Sequence, residues 1–165
     1  ARGLADSSIG PAMTVGQFSE IFVMAALGGL IARLGFKKVI LMGGLSYILR
    51  YAIWGTVGLP LGVHVASQVL HGVCYACFFA AAYIYVDKLA EADIKNSAQT
   101  VFGIIILGGG PVIGGWLNGK LQAAFSTAAA EGPAVLDYSR FWYTLSAIAL
   151  AMTVYFAASF KEETT

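Results

Sequence analysis

Residues 63–86 run for 24 positions without an aspartate, glutamate, lysine or arginine. A helix needs roughly 17–25 predominantly apolar residues to cross a bilayer, and few soluble folds tolerate so long a charge-free run. Four further charge-poor stretches have similar length: 14–32, 39–57, 98–119 and 141–160. Inside a bilayer every backbone N–H and C=O must pair within the protein, and none of these stretches alternates as a barrel strand would. The sequence therefore predicts an all-α, polytopic transmembrane helix bundle of about five spans. Composition agrees: apolar residues make up 58% and charged residues 12% of the 165, against about a quarter charged in a soluble domain. A net charge of +1 gives no basic surface for nucleic acid. Two cysteines exclude a disulfide framework.

The connections set an orientation. Arg33, Lys37, Lys38, Lys88, Lys95 and Lys161 flank the spans on one side, against Arg2, Lys120 and Arg140 on the other. The positive-inside rule places the richer side, and with it the C-terminus, in the cytoplasm. The turn around Gly58 and Pro60 and the Ala/Ser/Gly-rich loop before Tyr138, with Gly132 and Pro133 inside it, are then external. Tyr138, Trp142 and Tyr143 fall where an outer aromatic belt would sit. The expected organisation is an external segment over 1–13, five helices over 14–160 and a cytoplasmic tail over 161–165. The sequence starts at Ala1 without a signal-peptide pattern and reads as a piece of a longer protein.

Polar groups inside the spans are costly and mark a pathway or a partner. Gln17 and Glu20 are three residues apart and share a helix face. A carboxylate beside a carboxamide can bind a hydroxylated ligand or carry a proton. Its structural alternative is an ion pair with Arg50, which would sit about 10 Å below the same membrane surface. Arg50 itself reads as structural, either paired or reaching toward headgroups. In the third span His64, Gln68, His71 and Tyr75 recur at spacings of four, three and four, with Phe79 and Ala82 continuing the stripe. That stripe lines a pathway or makes interhelical hydrogen bonds, and His64 lies near the outer end. His71, Cys74 and Cys77 admit a metal or redox reading. On a helix they spread over about 120°, so no three of them converge without a further ligand. In the fourth span Gly103, Gly110 and Gly114 share a face, as do Gly108, Gly115 and Gly119. This predicts close helix packing, with a kink at Pro111.

Several of these residues carry a family resemblance. Gly29, Arg33, Gly35, Lys37 and Lys38 resemble the cytoplasmic loop motif of the major facilitator superfamily, with Ala32 where the motif has an acid. The segments around Gly16, Gln17, Ser19 and Glu20, around Leu49, Arg50 and Tyr51, around His71, Gly72, Cys74 and Tyr75, and at Asp87, Lys88, Ser97 and Gln99 together resemble the nucleoside:proton symporter family. The resemblance runs from about Pro11 to Phe160 and implies helices eight to twelve of such a transporter, with the rest of the polypeptide as a partner. It implies a bacterial inner-membrane protein without cofactor or metal that moves a nucleoside-like solute, with protons, by alternating access, and not an enzyme. Gln17, Glu20 and Tyr75 match its solute site. Gln68, His71 and Phe79 join them as solute contacts, and Glu20 is the expected proton carrier. An acidic position of the family's third-span motif is Ala76 here, and the aromatic after it is Cys77, which removes one carboxylate from the site. A facilitator for a sugar or another metabolite, a metal or redox protein built on His71, Cys74 and Cys77, and a non-transporting membrane scaffold are the competing readings.

Overall fold

The computed structural model describes residues 6–128 and 134–162. Arg2, Gly132, Pro133 and the last three tail positions lie outside the described residues. Four helical stretches are long and apolar enough to cross a membrane: Gly10–Gly55, Leu61–Leu89, Lys95–Phe125 and Tyr138–Ser159. The first is two helices. Its one non-helical residue is Gly35, with φ 79° and ψ 164°, a conformation only glycine adopts without strain. As one straight rod it would hold Gly16 and Arg50 about 50 Å apart at 1.5 Å per residue. Both instead meet His71, so the chain reverses at Gly35. We label these helices α1 (6–34) and α2 (36–55), then α3 (Leu61–Leu89), α4 (Lys95–Phe125) and α5 (Tyr138–Ser159). The bundle thus has five spans. The expected loop between the first two contracts to a single residue.

The reversal is held from the far end of the chain. Both carboxylate oxygens of Glu162 accept backbone hydrogen bonds at the start of α2, from Phe36 at 2.9 Å and Lys37 at 3.0 Å. These are orphan donors of a helix N-terminus, where a negative charge is favoured. The two amides hold the Glu162 carboxyl below the usual glutamate range. The core builds outward from this point: Leu27, Phe36, Val39, Ile40, Cys77, Ala81 and Tyr85 form one buried cluster. Phe36 packs against Tyr85 at 4.9 Å between ring centroids, and Tyr85 against Phe160 at 5.2 Å.

Glycines set the close helix approaches. A Cβ at Gly43 would stand 2.7 Å from the Phe78 amide nitrogen, so α2 lies nearly against the α3 backbone there. One at Gly44 would meet Thr153 of α5 at 2.6 Å. Farther along α2, Ser146 of α5 donates to the Ile48 carbonyl at 2.9 Å. The Thr56 and Tyr143 hydroxyls lie 2.8 Å apart. Trp142 packs its ring against Tyr51 and Trp54, at 5.6 and 5.5 Å. Of the expected outer belt, Trp142 is therefore an interhelical side chain, while Tyr138 is exposed. Trp54 also covers His64, which is buried.

In the fourth span most glycines have no close neighbour among the described residues. Its glycines were expected to mark tight packing, yet a Cβ at Gly108, Gly109, Gly110, Gly114, Gly115 or Gly119 would meet nothing within 4 Å. Gly103 alone among the glycines of α4 meets a neighbour, the Tyr83 hydroxyl. The reason is that α4 makes its hydrogen bonds to α3 by its first turns, and its far end only borders α5 beside a cavity. Gln99 donates to the Tyr83 carbonyl at 3.0 Å, Phe102 packs edge-on to Tyr83 at 4.8 Å, and Lys95 pairs with Asp87 at 3.0 Å. A π-helical turn over Ile104–Gly109 comes next, immediately before Pro111. The small-residue faces beyond it are open among the described residues, where Gly110 and Gly114 make no close packing contact. The loop to α5 also holds an element not expected from sequence, an antiparallel pair of Ser126–Thr127 (β1) with Val135–Leu136 (β2). Asp137 then caps α5 by accepting from the Arg140 amide at 3.0 Å.

Candidate functional site

The polar residues of the spans gather where α1 crosses α3. The crossing is close because two glycines face it. A Cβ at Gly72 would collide with Ser19 and with the backbone nitrogen of Glu20, and one at Gly16 would stand 3.1 Å from both the Gln68 carbonyl and the His71 ring. Ser19 donates across the gap to the Val69 carbonyl at 2.6 Å. Glu20 is thereby fixed beside the middle of α3. Gln17 lies one turn away and is exposed, and Glu20 is partly buried.

Arg50 enters the same region from α2. Its guanidinium donates to Gln68 Oε1 at 2.8 Å and lies 3.2 Å from His71 Nδ1. Among the described residues the ion pairs are Lys95 with Asp87 and Arg140 with Asp137. The Glu20–Arg50 pair weighed from sequence is therefore not made, and the arginine is satisfied by two neutral acceptors instead. Gln68 is buried and His71 partly so.

The third-span stripe does not keep one direction. A π-helical turn over Tyr75–Ala80 inserts extra winding, and such a turn rotates the face presented by the residues beyond it. Upstream of it, Gln68 and His71 face Arg50. Within it, Ala76 and Cys77 are fully buried while Tyr75 is 44% exposed. Tyr75 and Phe79 pack with tilted rings 5.9 Å apart and line a 430 Å³ apolar cavity with Met24 of α1 and Leu107 of α4. Arg50 lines a separate cavity of 680 Å³ with Trp54, Trp142, Asn118 and Gln122. The six expected solute contacts thus fall into a polar group (Gln17, Glu20, Gln68, His71) and an aromatic pair (Tyr75, Phe79). Neither of these two cavities is lined by the polar group. Cys74 and Cys77 are free and buried, Cys77 within the main core. Among the described residues no three His, Cys, Asp or Glu side chains are grouped to hold a metal.

Sequence reasoning missed the partners of Arg50. The signal was present: Arg50 sits at the depth of Gln68 and His71 on the neighbouring antiparallel helix. It also missed Gly16 and Gly72 as the pair that sets the crossing.

Long apolar helices, with ionisable groups at a helix crossing, define a polytopic helical membrane protein. The chain belongs to the Nucleoside H+ symporter family, whose model matches residues 4–165, a family of transporters and not of enzymes. YegT of Escherichia coli K12 is 35% identical over 156 residues, covering 91% of this chain and 36% of that protein. The nucleoside permease NupG of the same organism is 25% identical over 157 residues, covering 90% and 35%. The E. coli xanthosine permease is 26% identical over 154 residues, again covering 90% and 35%. A crystal structure of a point mutant of the nucleoside transporter NupG superposes with a TM-score of 0.80 at 25% identity, covering 91% of this chain and 37% of that one. The chain therefore spans about a third of the length of the relatives it matches.

Proposed function

We propose that this chain is part of a secondary transporter that carries a nucleoside across a bacterial inner membrane by alternating access, with protons as the coupling ion. The observation that carries the reading is the family match along nearly the whole chain, joined by relatives described as a nucleoside permease and a xanthosine permease. The geometry at the α1–α3 crossing supports it. Solute sites in such proteins lie near the bilayer midplane between helix groups that rock about them. Gln17, Glu20, Gln68 and His71 supply polar contacts for ribose hydroxyls and base carbonyls. Tyr75 and Phe79 supply a stacking surface for the base. Gln17 and Tyr75 are exposed on this chain, and the remainder of the polypeptide closes the site over them. Glu20 has no basic partner within ion-pair reach among the described residues, so a proton can come and go there without breaking a structural pair. The C-terminus, with Glu162 on the basic Arg33–Lys38 side, is cytoplasmic in this reading.

A second reading, a facilitator of other specificity, is favoured by one observation. The family's acidic position is Ala76, and that site is fully buried within the π-helical turn. Uptake of labelled uridine into cells expressing the full-length protein, competed by unlabelled nucleosides and by sugars, separates the two. Competition by nucleosides alone is the expected result. Competition by sugars alone, or no uridine uptake, rejects the nucleoside reading.

A further inference from the structure

We propose that Arg50 is a positioning residue that fixes the hydrogen-bonding polarity His71 and Gln68 present to the solute. The inference rests on the transport reading above. Arginine carries five N–H donors and no acceptor, and it does not deprotonate in proteins. Both of its contacts therefore have one direction. Arg50 donates to Gln68 Oε1 at 2.8 Å and to His71 Nδ1 at 3.2 Å.

This direction constrains α3 in two ways. His71 must offer a lone pair at Nδ1, so its single proton sits on Nε2. A second proton at Nδ1 would remove that acceptor and set two cations against each other. Gln68 turns its carbonyl oxygen to Arg50 and commits one of its two lone pairs there, which leaves the NH2 group turned to other partners. The α3 side of the crossing is thus biased toward donors. The α1 side is the opposite, because an ionised Glu20 is acceptor-only. Glu20 from α1 and Arg50 from α2 are the charged groups that act on the His71 ring.

The ring also has a direction. A Cβ at Gly16 would stand 3.1 Å from His71 Cδ2, the carbon bonded to Nε2, so this edge faces α1. The donor Nε2–H and the acceptor Glu20 therefore belong to the same crossing. A solute that bridges them brings an acceptor for α3 and a donor for α1, which a base carbonyl and a ribose hydroxyl provide. His71, held neutral, is not a proton carrier, and that role stays with Glu20.

The tautomer can be read directly. Histidine-selective 15N NMR on the full-length protein in lipid, with the signal assigned by its loss in His71→Gln, should show at neutral pH a protonated Nε2 and an unprotonated Nδ1. In Arg50→Met the two tautomers should mix. A proton on Nδ1 or a charged ring in the wild type overturns the inference, and so does an unchanged tautomer in a folded Arg50→Met. If that variant does not fold, the wild-type spectrum still decides. Uptake is a separate readout. Arg50→Met should raise the nucleoside KM roughly tenfold, the scale of one lost hydrogen bond to a charged group, with Vmax near wild type. An unchanged KM beside a changed tautomer rejects the role in solute recognition. A wild type that moves no nucleoside rejects the transport reading, while the tautomer result stands on its own spectrum.

Discussion

The α1–α3 crossing and the distal part of α4 are both rich in glycine, yet the two sets of glycines do opposite things. At the crossing, Gly16 and Gly72 stand where a single methyl group would strike the neighbouring helix. On α4, at the glycines from Gly108 to Gly119, a methyl group would meet nothing within 4 Å among the described residues. The same residue type marks a seam in one place and an open face in the other. Small residues permit close approach, but the approach itself needs a partner helix, and α4 is docked chiefly by its first turns.

The largest effect should come from closing the seam. Gly72→Leu would force a side chain into the backbone of Ser19 and Glu20, where nothing flexible can yield. Overpacking of this kind costs about 1–3 kcal/mol or more, so thermal melts of the full-length protein should show a strongly destabilised or unfolded variant. A melt like wild type would mean that α1 and α3 are not in contact there.

The next effect concerns the reversal at Gly35. Glu162→Gln keeps the size of the side chain but removes the charge that two backbone amides bind. The Glu162 carboxyl is held below its ordinary range in the folded protein, so its contribution is fully present above the unfolded pKa and is lost as pH falls through the folded one. Wild type should therefore melt above Glu162→Gln at pH 7, with the gap closing in acid. A gap that persists or widens in acid would contradict the contact.

Legibility in the sequence depended on whether a feature is local. The five spans and the hairpin at Gly35 are local: length, charge and one glycine between Arg33 and Lys37 fix them. The Glu20–Arg50 pair was the plausible partnering by depth and charge alone. It failed because Arg50 on α2 faces α3, where Gln68 and His71 already offer acceptors. The stripe from His64 to Phe79 assumed 3.6 residues per turn throughout, and the π-helical turn at Tyr75–Ala80 split it into two faces. Nothing in a periodicity marks where a helix will change its winding. The glycines of α4 were legible as small, but whether a neighbour fills the space beside them depends on tertiary placement.

Two smaller effects sharpen the contrast between the regions. Ser19→Ala removes one interhelical hydrogen bond, from Ser19 Oγ to the Val69 carbonyl. Such bonds average about 0.6 kcal/mol within membranes, so a melt shift of a few degrees is expected; none at all would indicate that α3 relaxes to other partners. Gly115→Ala on α4 should be the mildest. It adds a methyl group into open space and improves helix propensity. A loss comparable to that of Gly72→Leu would show that α4 packs in the full-length protein against segments beyond this chain.

The central claim is that the polar groups at the α1–α3 crossing carry both solute and proton, with Glu20 as the titrating member. The most direct measurement is transport by the full-length Glu20→Gln variant in proteoliposomes. The substitution keeps shape and hydrogen-bonding capacity but cannot release a proton. The account predicts that exchange of labelled nucleoside across the membrane persists while uphill accumulation driven by a pH gradient is lost. Wild-type accumulation by a folded Glu20→Gln protein would contradict it.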